Sequence, residues 1–106
     1  FDSKAFLDLV GKGRSDTTCA AGDVIFSQGD PAGAVFYIQK GKVKIAVVSE
    51  QGKEAVVALL GPKDFFGEGV LAGQSKRIAT ATALSEATIS RIDKSTIIRL
   101  LHEEPA

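Results

Sequence analysis

Residues 61–77, GPKDFFGEGVLAGQSKR, hold the side chains best able to do chemistry. The stretch is long for a hairpin connection, and loops beyond about 12–15 residues are usually functional. Its centre, residues 68–72, reads as a short helical piece reached through Phe66 and Gly67, with the acid Glu68 and the base Arg77 bracketing the two ends. A helix N-terminus offers unpaired N–H groups and the positive end of a dipole, which favours a phosphate. The Arg77 guanidinium adds a planar fork that matches phosphate oxygens two at a time. Glu68 is an acceptor, suited to sugar hydroxyls. Gly67 has no Cβ, so a ligand can approach the backbone closely. A phosphate and a hydroxyl held side by side describe a ribose phosphate.

Little else in the chain points to a reaction. It has one histidine, His102, and one cysteine, Cys19. A metal-dependent barrel enzyme needs several histidines converging on its metal. No serine–histidine or cysteine–histidine pairing is available either. No catalytic residue and no metal site are assigned, and the chain is read as non-enzymatic. His102 reads as a solvated residue near a helix C-terminus, where a cation is welcome. Cys19 reads as a small buried hydrophobe.

The bulk numbers suit one domain with a real core: 106 residues, 44% hydrophobic and 25% charged, which is ordinary for a globular chain. Thirteen basic and thirteen acidic residues cancel, whereas a self-contained nucleic-acid binder shows a basic surplus or stripe. Any DNA contact must then come from a domain outside this sequence. Apolar runs fall short of the roughly 20 residues that span a bilayer, and no charged-then-apolar leader opens the chain. The cytoplasm is the expected address, with no membrane partner. Beginning at Phe1 and stopping at Ala106, just past a helical pattern, the sequence reads as part of a longer polypeptide.

The elements that must position the loop follow from periodicity. Phe1, Ala5, Phe6, Leu9 and Val10 form one helical stripe over residues 1–10, stopped by Gly11 and Gly13. From residue 17 to 92, short β-rich runs alternate with glycine turns around Gly22, Gly29, Gly41, Gly52 and Gly61. Residues 42–47 alternate with period two, Val43, Ile45 and Val47 on one face and Lys42, Lys44 and Ala46 on the other. A turn at 50–53 makes a hairpin with residues 54–60, and further strands are expected over 78–84 and 87–92. Residues 93–104 return to helical period, with Asp93 as cap and Ile97, Ile98, Leu100 and Leu101 as the apolar face. Evenly spaced short strands of this kind suggest a jelly roll or barrel.

Phe66-Gly67-Glu68-Gly69-Val70-Leu71 followed by Arg77-Ile78-Ala79-Thr80 resembles the phosphate-binding cassette of cyclic nucleotide-binding domains. Gly22-Asp23-Val24-Ile25-Phe26 with Gln28-Gly29-Asp30 resembles that family's early strand and turn. Phe36-Tyr37-Ile38, Gly41, Val43 and residues 52–54 follow its pattern too, and the likeness is greatest to the N-terminal sensor domain of Crp/Fnr-type bacterial transcription regulators. Several linked motifs in order carry far more weight than any one alone.

The resemblance implies a mainly β, jelly-roll-like β-roll (a double-stranded β-helix) over residues 17–92 with flanking helices 1–10 and 93–104, all one domain, and a cassette at 66–80. It implies cAMP or cGMP as ligand, with no other cofactor. Glu68 would accept the ribose 2′-hydroxyl. Arg77 would pair with the cyclic phosphate, helped by backbone N–H groups around Gly69, Ile78 and Ala79. Phe66 and Gly67 open the cassette, and Ile45 and Val57 fall where the family places apolar walls. The implied partners are a cyclic nucleotide, DNA through a domain not in this chain, and a second copy in the full-length protein. The chain departs from the pattern at Ile78, where a small residue usually stands, and at Lys76, often proline. Ile78 leaves open a second reading: a roll that serves as a structural or dimerisation piece without a nucleotide.

Overall fold

The computed structural model describes residue 8 and residues 11–103. The helix expected over residues 1–10 lies outside the described residues, apart from Asp8, which is helical. After a 3-10 turn at Gly11–Gly13 come β1 Arg14–Cys19, β2 Val24–Phe26, β3 Ala34–Lys40, β4 Val43–Val48, β5 Glu54–Leu60, β6 Phe65–Phe66, β7 Thr80–Ala83 and β8 Ala87–Asp93. A 3-10 helix, Glu68–Ala72, lies between β6 and β7, and helix α1, Lys94–Glu103, follows β8.

The strands pair antiparallel in two sheets, ordered β1-β8-β3-β6 and β2-β7-β4-β5. This is the expected mainly β roll. The β4–β5 hairpin forms in the expected place, closed by Ser49 N–H to Lys53 O and Gly52 N–H to Ser49 O, both 2.9 Å. Its register shifts where Ile45 faces Ala58 but Ala46 faces Val56, which leaves Val57 as the extra residue of a bulge. A bulge bends its strand and re-aims side chains. Its consequence appears in the site.

β3 explains the layering. Its run Ala34-Val35-Phe36-Tyr37-Ile38 is buried throughout, as a short continuous apolar run should be when both faces are covered. Ala34, Phe36 and Ile38 join Val43, Phe66, Ala81, Ala83, Ala87 and Ile89 in one cluster, with Ile25, Phe26, Ile45 and Leu60 packed against it. Val35 and Tyr37 belong to a second cluster with Val70, Ile92 and Ile97. Burying each such large side chain is worth about 1.5–3 kcal/mol against exposure. The second cluster seats the 3-10 helix and α1 against β3 and β8, so the functional loop is anchored by the core itself.

Two local expectations change. The strand expected from residue 78 begins only at Thr80, because Ile78 and Ala79 form a bend. Asp93 does not cap the last helix; it ends β8 opposite Ala34 and takes the Arg91 guanidinium in an exposed ion pair. Cys19 is half-buried against the first cluster, and burial, then the charge of Asp23, pushes its thiol pKa up. That is the behaviour of an inert packing residue. His102 is exposed. Among the described residues no helix is long and apolar enough to cross a membrane.

Candidate functional site

The segment that carries the expected site is built from two glycines and a clamp. Gly67 sits before the 3-10 helix at φ 77° and ψ 14°, and Gly73 follows it at φ 93°. The helix is closed by Gly73 N–H to Val70 O (3.3 Å) and Gln74 N–H to Gly69 O (3.2 Å). Beyond it the chain is stitched to the β2–β3 connection by three main-chain bonds. Ala32 N–H donates to Ser75 O (2.9 Å), Arg77 N–H to Asp30 O (2.8 Å) and Gly29 N–H to Arg77 O (2.7 Å).

A cavity of about 460 Å³ opens under this segment, within the range of small-molecule sites. All nine residues singled out from sequence line it: Ile45, Val57, Phe66, Gly67, Glu68, Gly69, Arg77, Ile78 and Ala79. The acid and the base expected to face one ligand therefore do share one cavity. Val57 and its neighbour Ala58 both reach the cavity, although strict alternation would send them to opposite faces; the bulge at Val57 is the reason. Ile78 lines the rim and is 68% exposed, so it does not plug the cavity.

Arg77 is only 5% exposed. Its Nη1 donates to Gly67 O at 2.9 Å and its Nη2 to Ala34 O at 2.6 Å. Its Cζ lies 4.3 Å from the centre of the Phe26 ring and 5.4 Å from that of Phe36. Among the described residues no carboxylate lies within ion-pairing distance of it. Burial pushes the guanidinium pKa down, the charge of Arg91 adds to this, and Asp30 opposes it; the group stays protonated all the same. A buried cation held by neutral groups is a costly arrangement unless something anionic joins it. Glu68 opens the 3-10 helix, is exposed, and makes no hydrogen bond or ion pair among the described residues, so its carboxylate is a spare acceptor.

Gly67 proves to serve the protein rather than leave room for a ligand. A Cβ there would lie 2.8 Å from Arg77 Nη1 and 3.2 Å from Phe36 Cδ2. Gly69 plays a similar part for Gln74, whose Oε1 would be 2.9 Å from an added Cβ. Six lining residues escaped the sequence reading: Phe26, Val47, Ala58, Leu60, Phe65 and Gln74. Val47 shares its face of β4 with Ile45 and followed from the alternation already noted. Phe26 belongs to the early strand motif, yet nothing local to it announces that its ring meets Arg77.

Two antiparallel sheets with a ligand-sized cavity, walled by apolar strands and mouthed by a glycine-bounded turn, define a jelly-roll-type binding roll. Residues 17–104 match the sequence model of the family described as "Cyclic nucleotide-binding domain", and the chain belongs to that family. It is 29% identical over 84 residues to the CRP-like cAMP-activated global transcriptional regulator of Mycobacterium tuberculosis, covering 79% of this chain and 38% of that protein. It is 32% identical over 84 residues to the cyclic AMP receptor protein of Thermus thermophilus, covering 79% and 39%. The crystal structure of the Thermus thermophilus catabolite activator protein superposes with a TM-score of 0.85 at 29% identity, over 93% of this chain and 46% of that one. The likeness to Crp/Fnr-type sensor domains thus holds in sequence and in fold. The chain spans about two fifths of the length of these curated relatives, 38% and 39%.

Proposed function

We propose that this chain is a ligand-sensing module that takes a cyclic nucleotide, cAMP or cGMP, into the cavity. The observation that carries the reading is Arg77: a cation almost wholly withdrawn from water in an apolar cavity wall, with no acidic partner among the described residues. A cyclic phosphate supplies the missing negative charge. Glu68 accepts the ribose 2′-hydroxyl, and backbone N–H groups around Gly69, Ile78 and Ala79 assist Arg77. Phe66, Ile45 and Val57 wall the ribose or base, with Gly67 making room for the guanidinium. The 106 residues act as one domain, without catalysis, in the cytoplasm. A ligand shifts the balance between two arrangements of the flanking helices and so informs an effector region outside this chain. The name of the Mycobacterium tuberculosis relative supports a transcription regulator; in this reading it meets DNA through that region and works as a homodimer.

Isothermal titration with cAMP and cGMP tests this directly. Removing one partner of a buried charge pair costs 2–5 kcal/mol, so Arg77→Ala should weaken binding between about thirtyfold and a few thousandfold. Arg77→Lys, which keeps the charge but loses the fork, should fall between. Silence towards both nucleotides at millimolar concentration rejects the reading. So does an Arg77→Ala chain that binds as well as the parent.

A further inference from the structure

The way Arg77 is held points to a role for Phe26 that no motif assigns. Its ring, on β2, lies under the guanidinium, with Cζ 4.3 Å from the ring centre. The ring is itself propped, its centroid 5.5 Å from that of Phe36 and 5.9 Å from that of Phe66. Two N–H groups of the guanidinium are spent on Gly67 O and Ala34 O. Its other N–H groups donate to nothing among the described residues, so they are left for whatever enters the cavity. Phe26 also lines that cavity.

A long cationic side chain in a binding site has to be fixed, or its rotamer entropy is lost afresh on every binding event. The common way to fix an arginine is an opposed carboxylate, but that neutralises the charge an anionic ligand needs. An aromatic face attracts a cation through its quadrupole and carries no net charge. We propose that Phe26 is a positioning residue of the site: with the two carbonyls and Phe36 it holds Arg77 in place while leaving its full positive charge to the ligand. This rests on the reading of Arg77 as the phosphate partner. Phe26 acts through Arg77 and leaves the hydroxyl-binding end at Glu68 unaffected.

The test pairs two readouts on the whole chain. Nitrogen-15 labelled arginine reports the Arg77 Nε–H signal without ligand, and titration reports cAMP affinity. In the parent the signal should be resolved, shifted by the ring current and slow to exchange with water. Phe26→Leu keeps an apolar side chain but removes the nearer quadrupole; with Phe36 and the two carbonyl bonds still in place, it should reduce the ring-current shift, speed the exchange and weaken cAMP binding roughly two- to thirtyfold, the span of a cation–π contact. Phe26→Tyr, which keeps the ring, should retain both and answers the objection that the leucine variant is merely misfolded. A Phe26→Leu chain with an unaltered Nε–H signal overturns the proposal, as does one that shows the altered signal yet binds cAMP like the parent. If the parent ignores both nucleotides, the functional reading falls, and the Nε–H comparison alone still decides whether Phe26 fixes Arg77.

Discussion

Replacing Gly67 with alanine probes the tightest approach in the site, and its cost can be worked from the geometry. Gly67 holds φ 77°, the left-handed region, which charges a residue with a Cβ about 1–2 kcal/mol. The new methyl would lie 2.8 Å from Arg77 Nη1, so the guanidinium must retreat and give up its 2.9 Å bond to Gly67 O. A hydrogen bond to a charged group is worth about 1.5–3 kcal/mol. The two effects add to about 2.5–5 kcal/mol, and the lower end alone should drop the melting temperature by roughly 10–20 °C in a domain of this size. Gly73→Ala is the matched control. Gly73 also has positive φ, at 93°, but an added Cβ there meets nothing within 4 Å, so it should lose only about 1–2 kcal/mol. Thermal melts followed by circular dichroism and urea titrations measure both, and cAMP affinity should fall much further for Gly67→Ala. Equal destabilisation by the two alanines would refute the reasoning, because the contact with Arg77 would then contribute nothing.

Two further outcomes follow from the strand network opposite the site. Ser90, 0% exposed, accepts from Gln39 Nε2 at 2.6 Å and donates to Asp16 Oδ1 at 2.8 Å; both partners are exposed and Asp16 keeps Arg14, so Ser90→Ala loses only the net worth of the bonds and should cost about 0.5–1.5 kcal/mol in urea titrations, and an unchanged stability would show that the network is idle. For Asp16, burial pushes the carboxyl pKa up, but hydrogen bonds from Arg14 and Ser90 and the charge of Arg14 outweigh it, so the folded value lies below the ordinary 3.8. A folded pKa below the unfolded one stabilises above the unfolded value and loses that contribution as pH falls through the folded one. The stability gap between the parent and Asp16→Asn should therefore be full at neutral pH and shrink below about 3.8; a gap that widens in acid contradicts the assignment.

What the sequence made legible was whatever depends on near neighbours in the chain. Val43, Ile45 and Val47 announce a half-buried strand by alternation alone, and Gln51-Gly52 announces its hairpin. The short helical centre of the loop was readable from the glycines around it, and Glu68 and Arg77 stood out as an acid and a base bracketing its two ends. The rest needed contacts across the fold. The carbonyl that takes Arg77 Nη2 belongs to Ala34 on β3, and the ring beneath it to Phe26 on β2; neither has a local signature. The bulge at Val57 is set by pairing with β4, so no periodicity in β5 reveals it. Gly67 was read as room for a ligand because an empty Cβ position does not say which atom fills it, and the answer is the protein's own guanidinium.

The three main-chain bonds that stitch residues 75–77 to the β2–β3 connection also divide the loop mechanically. One end is riveted by those bonds; towards the other, Gly67 and Gly73 flank the short helix with left-handed backbone. Between the two glycines lie the five residues of the 3-10 helix, whose Val70 is buried. Through Val70 the same short helix shares one buried cluster with Val35 and Tyr37 of β3, Ile92 of β8 and Ile97 of α1, so the cavity mouth and the base of the terminal helix rest on common packing.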